Sequence, residues 1–326
     1  MLDIIIPTYK NKEGLRKTLI SLNPSILSSI KVTIIDDCSD IYYNDILEEF
    51  PFVQIYYNKK NSGPGYAREQ GIQVTNEPYI MFIDTGDYFI SYEVQHKIIM
   101  TLRENPNNIM YFWQYKMNEK ISNDNSNRLH GRIYSRDFLK KYDIHFCITS
   151  SFTNEDIGFN RTCRLIAQDK ELNIFHSKEP VIVYEINENS LTGKDNRAFF
   201  FKQQNEGLAL NSIEEIKCAE KNNVSKILIL EEINTIMASL YYTFLCTYYE
   251  RPEYINEAWK GAKIFYDKCF SNYPDNEPSL ITSAYSVYVK RIYSRAKGWK
   301  NFKNVNFTKF LKDLKNYNTP PSWYNN

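Results

Sequence analysis

Long uncharged apolar runs are missing from these 326 residues. The most apolar long window, residues 227–249, contains Glu231, Glu232 and Asn234. Burying those acids in lipid excludes it as a spanning helix. A secretory leader pattern is also lacking, because the N-terminus enters a strand pattern with no basic stretch ahead of an apolar one. Cysteine is sparse and unpatterned. The six, at 38, 147, 163, 218, 246 and 269, include no Cys-x-x-Cys pair and have no histidine beside them at zinc spacing. They read as reduced, mostly buried thiols, the usage of a cytoplasmic protein. Neither sign of charge dominates: 40 basic against 39 acidic residues, net +1, supply no global field for nucleic acid. Aromatics are what the chain has in excess, at 15% with 26 Tyr. Such rings can pack a core or stack on sugars and bases, so the excess alone does not choose.

The first half alternates strand and helix. Apolar runs at Leu2–Ile6, Lys31–Ile35, Phe52–Tyr57 and Tyr79–Ile83 predict four strands. Helical spacing over Lys12–Leu22, Asp45–Phe50 and Tyr66–Val74 fills the gaps. Four such alternations predict a parallel sheet with right-handed crossovers. Further on, Glu93–Arg103 and Glu155–Ala167 read as helices, Ile109–Gln114 and Val181–Ile186 as strands, and Gly131–Tyr142 holds a short helix. Beyond about Asp195 only helical patterns remain, over Phe199–Asn222, Val224–Tyr249, Glu253–Phe270, Pro278–Arg295 and Thr308–Tyr317. The expected division is therefore residues 1–195 and 196–326.

Tyr79–Phe89 organises the rest. Five apolar or aromatic residues stop at Asp84, and Asp87 follows three positions later. A short apolar run closed by turn residues is a buried parallel strand. Ligands of open α/β sheets bind beyond the carboxyl ends of the strands, so two acids there are placed to meet a metal-bound phosphate.

Seven short stretches then occur in a recognisable order. They are Ile6-Pro-Thr-Tyr9, Ile35-Asp-Asp-Cys-Ser39, Asn61-Ser-Gly63 with Ala67-Arg68, Phe82-Ile-Asp84-Thr-Gly-Asp87, Gly131-Arg132-Ile-Tyr134, Asn154-Glu155-Asp156 and Asn189-Ser190-Leu191-Thr192. In this order they resemble the family 2 glycosyltransferases with the GT-A nucleotide-sugar-binding fold, over roughly residues 1–193. The resemblance implies an α/β domain, a mostly parallel sheet flanked by helices, followed here by an all-helical C-terminal region. The family pattern departs at one point: Gly86 stands where the second acid of an Asp-x-Asp motif is usual.

The resemblance implies roles for named residues. Pro7, Thr8 and Tyr9 hold one face of a nucleobase. Asp36 or Asp37 can accept from its ring N–H, and the resemblance favours Asp36. Asn61, Gly63 and Arg68 reach the base or diphosphate, with guanidinium suited to bidentate phosphate contact. Asp84 and Asp87, with His176 as a candidate third ligand, hold Mg²⁺ or Mn²⁺ against the diphosphate. Arg132 and Ser190 approach the donor. Asp156, in a helix's first turn beside Glu155, is the general base.

The tail carries a local bias that the net charge conceals. From Ser286 to Asn326 there are nine Lys or Arg and one acid, Asp313, interleaved with Trp299, Phe302, Phe307, Phe310, Tyr317 and Trp323. Basic residues among aromatics suit an anionic surface: a membrane, an anionic polymer or DNA. They equally suit an amphipathic helix whose rings pack inward and whose lysines are solvated. The overall expectation is an inverting glycosyltransferase using a nucleotide diphosphate sugar, a UDP-sugar by preference. Its acceptor would be a hydroxyl of a cell-surface glycan, a teichoic-acid-like polymer or a lipid-linked molecule. Peripheral contact with the inner face of the membrane and a homo-oligomer are further expectations. A GT-A domain that binds sugar nucleotide or glycan without transfer is the alternative, and a transferase acting on modified DNA is the third.

Overall fold

The structure is a computed structural model. It describes residues 1–117, 120–122, 128–148, 153–185, 197–273, 278–300 and 306–324. The strands are β1 (Leu2–Thr8), β2 (Ile30–Asp36), β3 (Val53–Tyr57), β4 (Tyr79–Phe82), β5 (Tyr88–Phe89), β6 (Met110–Met117), β7 (Lys120–Ile121), β8 (Arg132–Ser135) and β9 (Ile174–Tyr184). The helices are α1 (Lys12–Ile20), α2 (Asn44–Glu49), α3 (Pro64–Val74), α4 (Tyr92–Glu104), α5 (Arg136–Lys141), α6 (Glu155–Asp169), α7 (Arg197–Lys221), α8 (Lys226–Glu250), α9 (Ile255–Lys268), α10 (Pro278–Ala296) and α11 (Phe307–Asn316).

The sheet runs β3-β2-β1-β4-β8-β6-β9-β5, with β7 attached to β6. β1, β2, β3 and β4 are mutually parallel, as the alternation predicts. β1 lies at their centre and all seven of its residues are buried, which a strand covered by helices on both faces requires. Beyond β4 the sheet becomes mixed. β8 pairs antiparallel with β4 and with β6, while β9 is parallel to β6 and antiparallel to β5. The expectation of a mostly parallel sheet is thus corrected for its second half. β5, β7 and β8 escape prediction because two to four residues carry no period. β9 starts seven residues before the predicted run. Its first half, His176-Ser-Lys-Glu-Pro180, is polar and crosses a register irregularity against β6.

Alternation along β1 divides the core between the two faces. Ile4 and Ile6 pack with Leu15, Leu19 and Ile98 on the α1 and α4 side. Ile5 packs on the other side with Ala67, Phe82 and Phe159, in a cluster that continues without a break through Leu208, Ile233, Trp259 and Phe310. The boundary expected near residue 195 falls outside the described residues. On either side of it, the helical region and the sheet share one apolar core. Among the described residues no helix is long and apolar enough to cross a membrane.

The tail's aromatics mostly turn inward. Phe307 and Phe310 pack on Tyr241, and Trp299 stacks on Tyr249 at 4.7 Å. This is the amphipathic-helix alternative for the stretch, with its lysines left outside.

Helix α6 is wedged between the sheet and the C-terminal helices. Phe159 stacks on Phe146 at 4.1 Å and meets Phe82 and Tyr134 edge-on. Asn154 precedes the helix as expected, but it is left-handed (φ 62°) and makes no side-chain cap. Its amide instead donates to the Gln204 carbonyl of α7 at 2.7 Å. Replacing Phe159 by Ala removes the ring joining α6 to the sheet and should cost about 3–5 kcal/mol. Urea unfolding at constant m-value would measure it; a cost below about 1 kcal/mol would mean that the cluster does not hold α6.

Candidate active site

Parallel strands deliver their last residues to one edge. β1 ends at Thr8, β2 at Asp36, and β4 leads into Asp84. Across this edge lies the N-terminus of α6 with Glu155 and Asp156 in its first turn. Arg68 of α3 joins the two sides. Its Nη2 donates to Asp84 Oδ1 at 2.6 Å and its Nη1 to Glu155 Oε1 at 2.7 Å. Arg68 is 3% exposed and its pair with Glu155 is shielded from water, whereas the Asp84 side chain is 38% exposed. Gly65, one turn earlier on α3, allows this approach: a Cβ there would stand 2.9 Å from Glu155 Cγ.

The carboxyls differ in consequence. Burial pushes Glu155 up to about 7, against the pull of Arg68. Burial raises Asp156 too, opposed by Arg68, Arg128 and His130. For Asp84 burial acts upward, but Arg68 and His130 outweigh it and hold the carboxyl below its ordinary range. Asp156 is the acid that Arg68 does not bond. Its carboxylate accepts from the Ile157 amide of its own helix at 2.8 Å.

Asp84, Asp87 and His130 bring three ligand atoms within 4.8 Å of one another. Their polar atoms are short of partners. Among the described residues His130 Nδ1 is buried with no hydrogen bond, and Asp87 Oδ2 and His130 Nε2 face only each other, 3.0 Å apart. Orphaned buried acceptors of this kind fit a divalent cation. Gly86 has φ +104°, and the turn it makes sets Asp87 beside Asp84.

The third ligand is a correction. His176 lies on β9 edge-on against Phe112 and lines a separate pocket with Arg164, Gln168 and Glu171. His130 is the histidine that stands beside Asp84 and Asp87. Its neighbour Arg132 reverses expectation as well. Arg132 is 1% exposed, its guanidinium lies 4.1 Å over Phe112, and it donates to the Trp113 carbonyl at 2.7 Å. A donor contact for Arg132 is corrected to a role in the core. Gly131 separates the two with φ +69°, and a Cβ there would meet the Trp113 carbonyl at 2.8 Å. Arg128 is the cation that sequence reasoning missed. It is exposed and its charge acts on both Asp84 and Asp156. The signal was present in the run Arg128-Leu-His-Gly-Arg132, where only tertiary packing tells the three basic residues apart.

The nucleobase acids have partners within the chain. Asp36 accepts from the Ser39 amide, the Ser39 hydroxyl and Tyr43 Oη. Asp37 accepts from Asn58 and from the amides of Ser62 and Gly63. These contacts fold the loops at the edge. Pro7 accepts from Thr85 Oγ1, Thr8 is buried, and Tyr9 and Asn61 are exposed. Ser190 lies outside the described residues.

A mixed sheet that opens as a parallel α/β unit, with acids at its strand ends and on a facing helix, is an architecture of the GT-A type. Residues 3–156 match the family model for glycosyl transferase family 2. A Haemophilus influenzae protein described as an uncharacterized glycosyltransferase is 32% identical over 34% of this chain and 38% of its own length. The processive diacylglycerol beta-glycosyltransferase of Mycoplasma genitalium is 27% identical over 32% of each chain. The chain therefore spans only about a third of the curated relatives it matches. Among solved structures, S. aureus TarS 1-349 in complex with UDP-GlcNAc superposes with a TM-score of 0.63 at 16% identity. That match covers 94% of this chain and 95% of that one, so the likeness of fold includes the helical region.

Arg68→Met should destabilise the fold by about 3 kcal/mol, since it strands Glu155 as a buried carboxyl. Arg68→Met/Glu155→Gln should recover part of that loss. A double-mutant cycle in urea that gave strictly additive effects would show that the bridge carries no coupling.

Proposed function

We propose that the chain is an inverting glycosyltransferase that moves a sugar from a UDP-sugar to a hydroxyl of a glycan, polyol phosphate polymer or lipid-linked acceptor. The observation that carries the reading is the Arg68 bridge. It brings the acid at the end of β4 to the first turn of α6 and leaves Asp156 outside the ion pair. Asp156 is the general base in this reading. It takes the proton of the acceptor hydroxyl as the oxygen attacks the anomeric carbon from the face opposite the departing diphosphate, which inverts the configuration. Glu155, held by Arg68, fixes the orientation of that turn. Asp84, Asp87 and His130 would hold Mg²⁺ or Mn²⁺. When bound, such an ion neutralises charge on the leaving diphosphate. Arg128 at the mouth adds a second positive charge on the same side. Thr8 and Tyr9 border the base. The bound UDP-GlcNAc named for TarS supports a UDP-sugar donor, and the diacylglycerol acceptor named for the M. genitalium relative supports a lipid-linked class among the acceptors.

A thermal-shift screen of nucleotide sugars, with and without Mn²⁺, tests donor and metal together, because a ligand that binds only the folded state raises the midpoint. UDP-sugars should stabilise the protein more with Mn²⁺ than without it, and His130→Ala should remove that difference. No shift with any UDP-sugar in either condition would defeat the reading. Asp156→Asn should lower kcat about 10²- to 10⁴-fold while the donor-induced shift persists. Turnover at the parent rate in that variant would exclude Asp156 as the base.

A further inference from the structure

α11 and the segment after it form a surface unrelated to the cleft. Phe307, Phe310, Leu311 and Leu314 face the core. Lys309, Lys312 and Lys315 fall within about a third of the helix circumference on the opposite side. All three are exposed, and none forms an ion pair among the described residues. The single acid of the stretch is unavailable to them. Asp313 is 5% exposed and accepts from Tyr324 Oη at 2.9 Å and from Trp323 Nε1 at 3.3 Å. That second bond turns the polar edge of the indole inward and leaves the ring 44% exposed. Tyr317, also exposed, meets Trp323 at 5.4 Å and 84°, so the two rings form a corner. Lys309 Nζ stands 5.1 Å from the centre of the Trp323 ring.

We infer that this corner binds an anionic glycan, a chain of sugar rings bearing carboxylate or phosphate. The weakly positive C–H face of a pyranose packs on the electron-rich face of an aromatic ring. An acid group on that sugar then lies within reach of Lys309, and its neighbours along the chain meet Lys312 and Lys315. Two alternatives fit less well. A membrane-surface helix inserts an apolar face, but the apolar face of α11 is already buried in the protein. The exposed residues within 306–324 are Asn, Thr, Lys, Ser, Tyr and Trp, with no aliphatic side chain and no acid. Single-stranded nucleic acid needs successive bases stacked on parallel rings, whereas these two rings are perpendicular. The surface is independent of the transfer reaction, so its failure would leave the donor site untouched.

Calorimetric titration of the full chain with polygalacturonate, neutral dextran, polyphosphate and oligo(dT), and co-sedimentation with phosphatidylcholine–phosphatidylglycerol vesicles, test this. Polygalacturonate should bind at low salt and weaken as salt rises, and dextran should not bind. Lys309→Gln/Lys312→Gln/Lys315→Gln should weaken binding about tenfold or more, the sum of three small exposed ion pairs. Trp323→Ala should weaken it about threefold or more, while Trp323→Phe, which keeps a ring, retains most of the affinity. Unchanged melting temperature and UDP-sugar shift would confirm that the variants fold. Three results would each overturn the inference: no binding of polygalacturonate, a triple variant that binds like the parent, or polyphosphate, oligo(dT) or vesicles binding as tightly with no dependence on Trp323.

Discussion

Two carboxylates from distant parts of the chain share one buried guanidinium. Arg68 bonds Asp84 after β4 and Glu155 on α6, and that bridge ties the end of the strand to the first turn of the helix. A planar fork with fixed donor directions can hold two acids at once, which a lysine ammonium on a flexible stem does less well. The bridge also sorts the acids of α6. Glu155 is held and shielded, whereas Asp156 accepts from the Ile157 amide and forms no hydrogen bond with Arg68 among the described residues. Desolvation acts on both and the charge of Arg68 opposes it at both, but only Glu155 is hydrogen-bonded to that guanidinium, and Asp156 feels Arg128 and His130 as well.

Around the bridge, glycine decides which side chains reach the cleft. Gly86 breaks the usual spacing of acids, yet its positive φ carries the chain round so that Asp87 stands beside Asp84. At Gly131 a second left-handed residue separates His130, which faces the acids, from Arg132, which is packed over Phe112. An L-side chain at either position would be strained, and at 131 it would also collide with the Trp113 carbonyl. The motif departs from its family pattern, but the turn and a histidine from another part of the chain bring three possible ligands within 4.8 Å of one another.

The helical region is structurally continuous with the sheet. One apolar cluster runs from Ile5 through Phe159 of α6 to Phe310 of α11. Helices α7 and α8 also meet α6 in a buried charge cluster, where Arg161 contacts both Glu215 and Glu232. The helix that bears the candidate base is therefore clamped on one side by the sheet and on the other by the C-terminal helices. The same packing explains the basic tail. Its aromatics chiefly serve this core, and the few that remain outside, with the lysines of α11, make the exposed corner at Trp323.

Local period and chain order were enough for much of the first half. Four parallel strands, the helices between them, the acids at the ends of β2 and β4, and Glu155-Asp156 in a first helical turn all follow from spacing and turn chemistry. Short strands and polar strands were illegible, since β5, β7, β8 and the first half of β9 derive their stability from partners elsewhere in the sheet. Tertiary structure alone decided which of several similar residues faces the cleft. That His130 rather than His176 stands beside the acids, that Arg128 is exposed where Arg132 is buried, and that Arg68, expected at the base or diphosphate, bridges two acids are all matters of which way a side chain faces once the sheet closes. That direction is fixed by long-range packing and desolvation, which act between residues far apart in the chain and leave no periodic trace in it.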